Sequence, residues 1–576
     1  MRILLVHPED SVIDEPWSIS RWDLVVDLGW AGTFQYAEWG ARLGCVVRSL
    51  FSFANWHEDV PLLPELCGIG KYRLLDGEGI DWWELLAPIA YQRVYEFLLL
   101  QKVAREIKIP AEIHITRPHP LGDAIGKMVG VNVVPFISTS ESSAIARFIR
   151  FKKKLRALTP SQIVQIACDK WDTDYRVRRY FTRRGPRTRS KTKILLPSAY
   201  RNVSRVLARY AQLLPDRDFL MVTTRADGEL KELPSHISSA PLAAYALRST
   251  ATEREIADLT RQWETIKKRL YATDIDVSLL GDSLEALDPM LRNGLRLRDA
   301  WRAVFEREKI DSVLCADENN VYTRLPVLLA HRRGVHTVYC SHGALDSTIL
   351  LRGICSDTYL AKGEMERDYL IRECEVPQER IFVGAPPGSH LAVHGLTAGT
   401  HIVFFSEPYE LYHGRTETLY REVLRRLCAI GREHGRKVML KLHPFESMTA
   451  RSQLVDRLLT DSDRKLLEVT SEPISEQLLR KTWFSLTVES SVAVECALAG
   501  VPSFLCGWFD IDLYSYGKQY ERFGAAQILH RPDDISRIPV IMESQQTNAA
   551  VRDRLYHPIS REDFAAVLHG SQELRQ

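Results

Sequence analysis

At 576 residues the chain exceeds what one hydrophobic core usually organises, so two or three α/β lobes are expected. Its 45% hydrophobic and 26% charged residues have the balance of a globular chain rather than a disordered or membrane-embedded one. A formal net charge of +2 creates no global field to attract nucleic acid, so any electrostatic targeting must be local.

The opening Met1–Asp10 turns polar too early for a secretory signal. No window reaches the roughly 18 apolar residues of a membrane-spanning helix. Ten cysteines without a CxxC pair read as reduced thiols of a cytoplasmic protein. The sequon at Asn202-Val203-Ser204 is then idle.

Short apolar runs alternate with amphipathic stretches throughout, the pattern of βα units around parallel sheets. Strands are predicted at Arg2–Val6, Asp23–Asp27 and Cys45–Phe51, a helix over Trp83–Glu106, and further strands at Glu112–Thr116 and Val131–Ile137. The adjacent Trp82-Trp83 reads as core, with a sugar-lining role as the alternative. From Glu141 to Arg183 the pattern is helical and basic, and Arg183–Lys193, rich in Arg and Lys, reads as a solvated linker or a surface for anionic lipid.

The alternation then restarts. Strands are predicted at Ile194–Leu196, Phe219–Thr224, Ser312–Ala316, His336–Cys340, Asp357–Leu360 and Ile381–Val383. Helices are predicted at Asn202–Leu214, Glu253–Ala272, Asp299–Glu308, Val321–Arg333 and Glu364–Cys374. The breaker cluster Gly384–Gly388 ends this part. A last series follows: strand His401–Phe405, helix Glu417–Ile430, strand Lys437–Leu442, strand Trp483–Val488, helix Val492–Ala499 and strand Val501–Cys506. The expected division is an N-terminal α/β region over 1–185, a central Rossmann-like region over 186–392 and a C-terminal Rossmann-like lobe over 393–576.

Three polar clusters follow predicted strand ends in the last lobe, where ligands bind in open parallel sheets. They are Ser406-Glu407-Pro408, Lys441-Leu442-His443-Pro444 and Glu489-Ser490-Ser491. Small hydroxyl residues at a strand-to-helix turn suit phosphate, although one serine can simply be a helix cap. Glu495, four residues beyond Ser491, can accept ribose hydroxyls or be an ordinary exposed helix acid. His443 can donate to phosphate or carry charge as a nucleotide leaves, and Lys441 shares its side-chain parity.

KLHP (Lys441–Pro444), followed by ESSVAVECALAGVP (Glu489–Pro502), resembles the GT-B transferases of bacterial surface polysaccharides: capsule Kdo transferases, polysialyltransferases and CDP-glycerol glycerophosphotransferases. The ending Glu495, Ala497, Gly500, Pro502 also resembles the ribose-binding helix of GT-B enzymes and UDP-N-acetylglucosamine 2-epimerases. The resemblance spans about residues 312–510 and implies an α/β, GT-B-like fold with Rossmann-type lobes facing each other across a cleft. It implies phosphate roles for His443, Ser490 and Ser491 and a ribose role for Glu495; their place just after strand ends adds Ser406, Glu407, Lys441 and Pro444 to the expected donor side. The family's acidic motif for the catalytic base finds its nearest counterpart in Asp317-Glu318, with Asn319 in place of glycine.

Transfer to a hydroxyl acceptor needs a group to take its proton. Asp317 and Glu318 follow one central strand, and His342, in Ser341-His342-Gly343, follows another. The resemblance also gives Gly384–Gly388 as the crossover between lobes. Asp510-Ile511-Asp512 looks like a metal-binding DxD, but three other DxD triplets fit equally well, and no metal or cofactor is expected. The partners implied are a nucleotide-activated sugar or alditol donor and a glycan or lipid-linked acceptor, in a cytoplasmic enzyme with peripheral contact at the inner membrane face. A 2-epimerase-like isomerase and a non-catalytic nucleotide-sugar-binding assembly protein remain open alternatives.

Overall fold

A computed structural model describes residues 1–8, 10, 12–13, 17–29, 33–68, 70–87, 91–136, 191–245, 251–270, 287–318, 321–345, 356–387, 399–407, 409, 416–444, 446–509, 516–544 and 549–570. The basic helical stretch expected over Glu141–Arg183, Gly388, and most of the linker expected at Arg183–Lys193 lie outside these residues. The last two linker residues, Thr192 and Lys193, belong to a strand.

Three parallel sheets follow one another along the chain. The first contains β1 (Arg2–Val6), β2 (Leu24–Asp27), β3 (Val46–Ser49), β4 (Glu112–Ile115) and β5 (Val133–Pro135), in the order β3-β2-β1-β4-β5. The second contains β6 (Thr192–Ser198), β7 (Asp218–Thr223), β8 (Ile237–Pro241), β9 (Lys309–Cys315), β10 (His336–Cys340), β11 (Thr358–Ala361) and β12 (Ile381–Val383), in the order β12-β11-β10-β9-β6-β7-β8. The third contains β13 (His401–Phe405), β14 (Lys437–Lys441), β15 (Leu467–Thr470), β16 (Thr482–Thr487), β17 (Ser503–Cys506) and β18 (Gln527–Leu529), in the order β15-β14-β13-β16-β17-β18. The fold class is α/β, with Rossmann-type lobes.

The central strands read as unbroken apolar runs because helices cover both sheet faces. Ile3 to Val6 in β1 and Ile402 to Phe404 in β13 have no exposed surface (0%). The helix Thr416–Glu433 buries Leu419, Tyr420, Val423, Leu424, Leu427 and Ile430 at helical spacing against the third sheet. Gly435 (φ 62°) and Gly500 (φ 79°) end the helices before β14 and β17 in the left-handed conformation that glycine adopts without strain. The helix expected over Trp83–Glu106 is two helices, Trp82–Leu86 and Tyr91–Glu106. Pro88, between them in sequence, lacks the N–H that a continuous helix requires.

The first two sheets share a core. Trp82 and Trp83 are buried in it, and the Trp83 ring stacks on Trp263 with centroids 5.3 Å apart. The tandem tryptophans are therefore core residues. Beside them Arg298 is 1% exposed and pairs with Asp76, Glu255 and Asp299, each at 2.7 Å. This buried cluster ties the loop at Asp76 to the helices Ala251–Leu270 and Leu287–Arg307.

The second and third sheets also share a core, in which Tyr359, Met365 and Tyr369 meet Ala493, Leu505, Tyr516 and Tyr520. The chain returns from the third sheet to the second near its end. Ala385 donates to His557 O (2.7 Å) and accepts from Ile559 N (3.0 Å). The helix Arg561–Leu568 then packs Phe564, Val567 and Leu568 into the core of the second sheet.

Removing the Arg298 guanidinium takes the nearest cation from buried Asp76 and from Asp299, the latter keeping Arg302 at 3.5 Å. Arg298→Ala is expected to destabilise this junction by about 3–5 kcal/mol, seen as earlier amide exchange in 251–270 and 287–307 while the helix Thr416–Glu433 keeps its protection.

Candidate functional site

In the third sheet the chain runs outward from β13 through β14 to β15, then returns to β16 and runs the other way through β17 and β18. The switch point therefore lies between β13 and β16, and the crevice outside the carboxyl ends of such neighbours is where open α/β sheets hold ligands. Ser406-Glu407 follows β13, His443-Pro444 follows β14, and Glu489-Ser490-Ser491 follows β16. Since β14 and β16 both flank β13, these loops are adjacent, and the outer two stand two strand spacings apart, roughly 10 Å.

Two carboxylates lace the loops together. Glu407 Oε1 accepts from Thr487 Oγ1 (2.9 Å) and from the Glu489 backbone N–H (3.3 Å), which joins the turn after β13 to that after β16. Glu446 Oε1 accepts from Ser406 Oγ (2.9 Å) and Arg451 Nε (2.7 Å), while its Oε2 accepts the His443 backbone N–H (2.7 Å). The Glu446 backbone N–H in turn donates to His443 O (2.9 Å). This reciprocal pair has the logic of a capping box and fixes the turn that carries the imidazole. Burial raises the Glu446 carboxyl above the usual range, opposed by Arg451 and by the His443 and Ser406 donors.

The donor-side residues read from sequence fall into two groups. Ser406 and Glu407 are 5% and 8% exposed, and their oxygens bond to neighbouring loops, so they shape the crevice wall. Lys441 is 6% exposed, and its ammonium donates to Leu442 O at 2.5 Å. Desolvation lowers its pKa, opposed by Glu446. Half-buried His443, exposed Pro444 and half-buried Ser490 and Ser491 reach the surface of the crevice. Burial, reinforced by repulsion from Lys441, holds the His443 imidazole down at about 4, so near neutral pH it is an uncharged donor rather than a cation. Ser490 Oγ accepts weakly from Val492 N (3.4 Å), and the Ser491 hydroxyl makes no cap bond to its own helix.

Glu495 lies one turn along the helix Val492–Leu498. Its side chain is solvent-accessible. Desolvation raises its carboxyl, opposed by the nearby cations Arg209 and Lys362. Both cations belong to the second sheet's lobe, so Glu495 faces across the crevice between lobes. Lys362, just after β11, donates to Glu366 Oε1 (3.0 Å) and Gly343 O (3.3 Å).

On that opposite wall His342 and the acidic pair are placed differently. His342 is half-buried, and its Nδ1 stands 2.7 Å from Ala316 O. A carbonyl only accepts, so Nδ1 carries the proton and the neutral ring has its lone pair on Nε2. Asp317 and Glu318 are 4% and 2% exposed, and Glu318 takes a hydrogen bond from Ser356. Their carboxylates lie beneath the surface that His342 helps to form.

Sequence reasoning passed over Glu446, Arg451, Thr487, Lys362 and Arg209. An acid three residues beyond a His-Pro turn was a legible sign for Glu446, whereas Lys362 and Arg209 matter only through the approach of two lobes. Among the described residues no group of three or more His, Cys, Asp or Glu side chains is arranged to hold a metal ion, and no helix is long and apolar enough to cross a membrane.

No protein-family model matches the sequence, and comparison with curated proteins gives no match. Solved structures with a similar fold include the UDP-GlcNAc 2-epimerase of Methanocaldococcus jannaschii, at 12% identity and a TM-score of 0.42 over 66% of this chain and 99% of that one. Acinetobacter baumannii MurG gives 11% identity and a TM-score of 0.39 over 66% and 99%. The calicheamicin glycosyltransferase CalG4 gives 13% and 0.39 over 67% and 98%. The second and third sheets, joined by a crossover near Gly384 and a returning C-terminal helix, are two Rossmann-type lobes, the arrangement that the sequence resemblance led us to expect.

Proposed function

We propose that the chain is a metal-independent glycosyltransferase-type enzyme that moves a sugar, or an alditol phosphate, from a nucleotide-activated donor to a surface-polysaccharide or lipid-linked glycan acceptor. One observation carries the reading: His443 and Ser490-Ser491 stand on loops flanking the switch point of the third sheet, while Glu495 on the same wall faces Arg209 and Lys362 of the other lobe. The same reading places the enzyme in the cytoplasm, with peripheral contact at the inner membrane face.

In this scheme the His443 ring, neutral before the nucleotide arrives, and the Ser490 and Ser491 hydroxyls donate to the donor's phosphates, and Glu495 accepts from the ribose hydroxyls. The Nε2 lone pair of His342 takes the proton of the acceptor hydroxyl as its oxygen attacks the anomeric carbon, or the phosphorus of an alditol donor. The bond to the leaving phosphate oxygen breaks, and that oxygen keeps the electron pair. Lys362, braced by Glu366 and Gly343 O, lies beside the loop that carries His342.

A thermal-shift and calorimetric screen of UDP, CDP, CMP and GDP tests the donor side. At least one nucleotide is expected to bind, and His443→Ala and Ser491→Ala to weaken it by about 10- to 100-fold, the loss of a hydrogen bond to a charged group. Uniform indifference to all four nucleotides would refute the reading. His342→Ala is expected to leave nucleotide affinity in place and to lower turnover by about 10²–10⁴-fold. Product formation from donor alone would mark an isomerase instead.

Protonation supplies a separate check. His443 holds its proton weakly in the free protein, at about 4, and a bound phosphate favours the charged imidazole. Nucleotide binding at pH 6 is therefore expected to take up protons, measurable as a buffer-dependent calorimetric enthalpy, and His443→Gln to abolish the uptake.

A further inference from the structure

Gly343 follows β10 in the turn that carries His342, and nothing in the described protein requires a glycine there. Its backbone lies outside the left-handed region that Gly334 and Gly435 occupy. Among the described residues no atom comes within 4 Å of the place a Cβ would take. The residue is half-buried all the same. The space over its α-carbon is therefore open and bordered by its neighbours, and a glycine keeps it so.

This turn lies against the donor side. The next residues, Ala344 and Leu345, share a core with Ala493, Val494 and Ala497 of the helix that carries Glu495 and that Ser490 and Ser491 precede. The turn is held in place: Gly343 O accepts from Ser341 Oγ (2.7 Å) and from Lys362 Nζ (3.3 Å). An ammonium has three N–H donors. Lys362 gives one to Gly343 O and one to Glu366 Oε1 (3.0 Å), and among the described residues the third has no partner. The Lys362 side chain keeps 21% of its surface exposed. His342 uses Nδ1 on Ala316 O, which leaves the lone pair of Nε2 without a partner among the described residues. A hydrogen-bond donor and an acceptor thus stand beside the space over Gly343, and a hydroxyl group can satisfy both.

The charges narrow the class of ligand. Lys362 is paired with Glu366, which is 4% exposed, and Arg209 of the same lobe faces Glu495. Asp317 and Glu318 are buried beneath the His342 turn. A carboxylate brought to Gly343 would add negative charge to a wall whose nearest ammonium already has its counter-ion, and such a juxtaposition selects against a charged ligand. We infer that the space over Gly343 takes the transferred part of the donor, that this part is an uncharged, hydroxyl-bearing group, a neutral sugar or an alditol, and that Lys362 positions it through its remaining N–H. The inference rests on the transferase reading above, in which His342 takes the proton of the attacking hydroxyl, so that the attacked atom lies beside the residue next to Gly343.

Calorimetry on the full chain tests this by comparing each nucleotide with its own donors: UDP with UDP-glucose and UDP-glucuronate, GDP with GDP-mannose and GDP-mannuronate, and CDP and CMP with CDP-glycerol and CMP-N-acetylneuraminate. A neutral donor is expected to bind at least about tenfold more tightly than its carboxylated counterpart. Gly343→Ala puts a methyl group into the open space without touching the described protein, so the melting temperature is expected to stay at the wild-type value. The same variant should weaken the neutral donor about tenfold and leave the free nucleotide within about twofold. Lys362→Gln/Glu366→Gln removes both charges of the pair together, so that neither is stranded, and should show the same selectivity. Equal or tighter binding of the carboxylated donor would overturn the inference. So would a Gly343→Ala variant that spares the neutral donor or weakens the free nucleotide as much. In both cases nucleotide binding itself leaves the transferase reading standing. Failure of every nucleotide and every donor to bind would refute that reading, and this inference with it.

Discussion

Two buried carboxylates, Glu407 and Glu446, hold the donor side of the molecule in shape. Taking an ionised carboxylate out of water costs several kcal/mol unless donors surround it. The donors here come from other loops: Thr487 and Glu489 for one, Ser406, Arg451 and the His443 backbone for the other. Each acid is therefore accommodated only when the neighbouring turn is in place. That mutual dependence makes three separate strand ends a single rigid rim. On this rim His443, Pro444, Ser490 and Ser491 reach the crevice surface, while Glu407, Lys441 and Glu446 lie just beneath.

Parallel sheets bring their loops to one edge by construction, and each of the three sheets reverses its direction of growth once. A chain assembled from three such units has three natural ligand crevices. Their usefulness depends on orientation, and contacts distant in sequence set it. The Arg298 cluster locks the first sheet's lobe to the second, the tyrosine-rich core joins the second to the third, and Gln35 reaches from the first to the third.

Much of the chain's architecture could be read from residues alone, and the boundaries show why. β1, β10, β12 and β13 match their predicted limits because each apolar run is closed at its carboxyl end by a polar residue or glycine: His7, Ser341, Gly384 and Ser406. β8, β15 and β18 escaped notice: all three are sheet-edge strands, two of mixed polarity, Ile237–Pro241 and Leu467–Thr470, and the third, Gln527–Leu529, of only three residues. A half-covered strand lacks the continuous apolar signature of a central one. At the site, the placement of polar groups just after strand ends was legible. What each group does there was not. Ser406 and Glu407 were legible as residues just after a strand end, but not their burial or their bonds to neighbouring loops. The relation of Glu495 to Lys362 and Arg209 depends on how two lobes meet, which no local pattern encodes.

The pairing of Ala385 with the segment around Pro558 has a mechanical meaning. The polypeptide passes between the second and third sheets near Gly384 and passes back near Pro558, and the two passages lie side by side. One strap would let the lobes swivel freely, whereas two adjacent straps behave like the knuckles of a door hinge. They leave a swing about a single line soft and make twist and slippage stiff. A molecule built this way can gape or shut while the two facing rims stay in register, so whatever sits on one rim meets the other at the same place on every cycle.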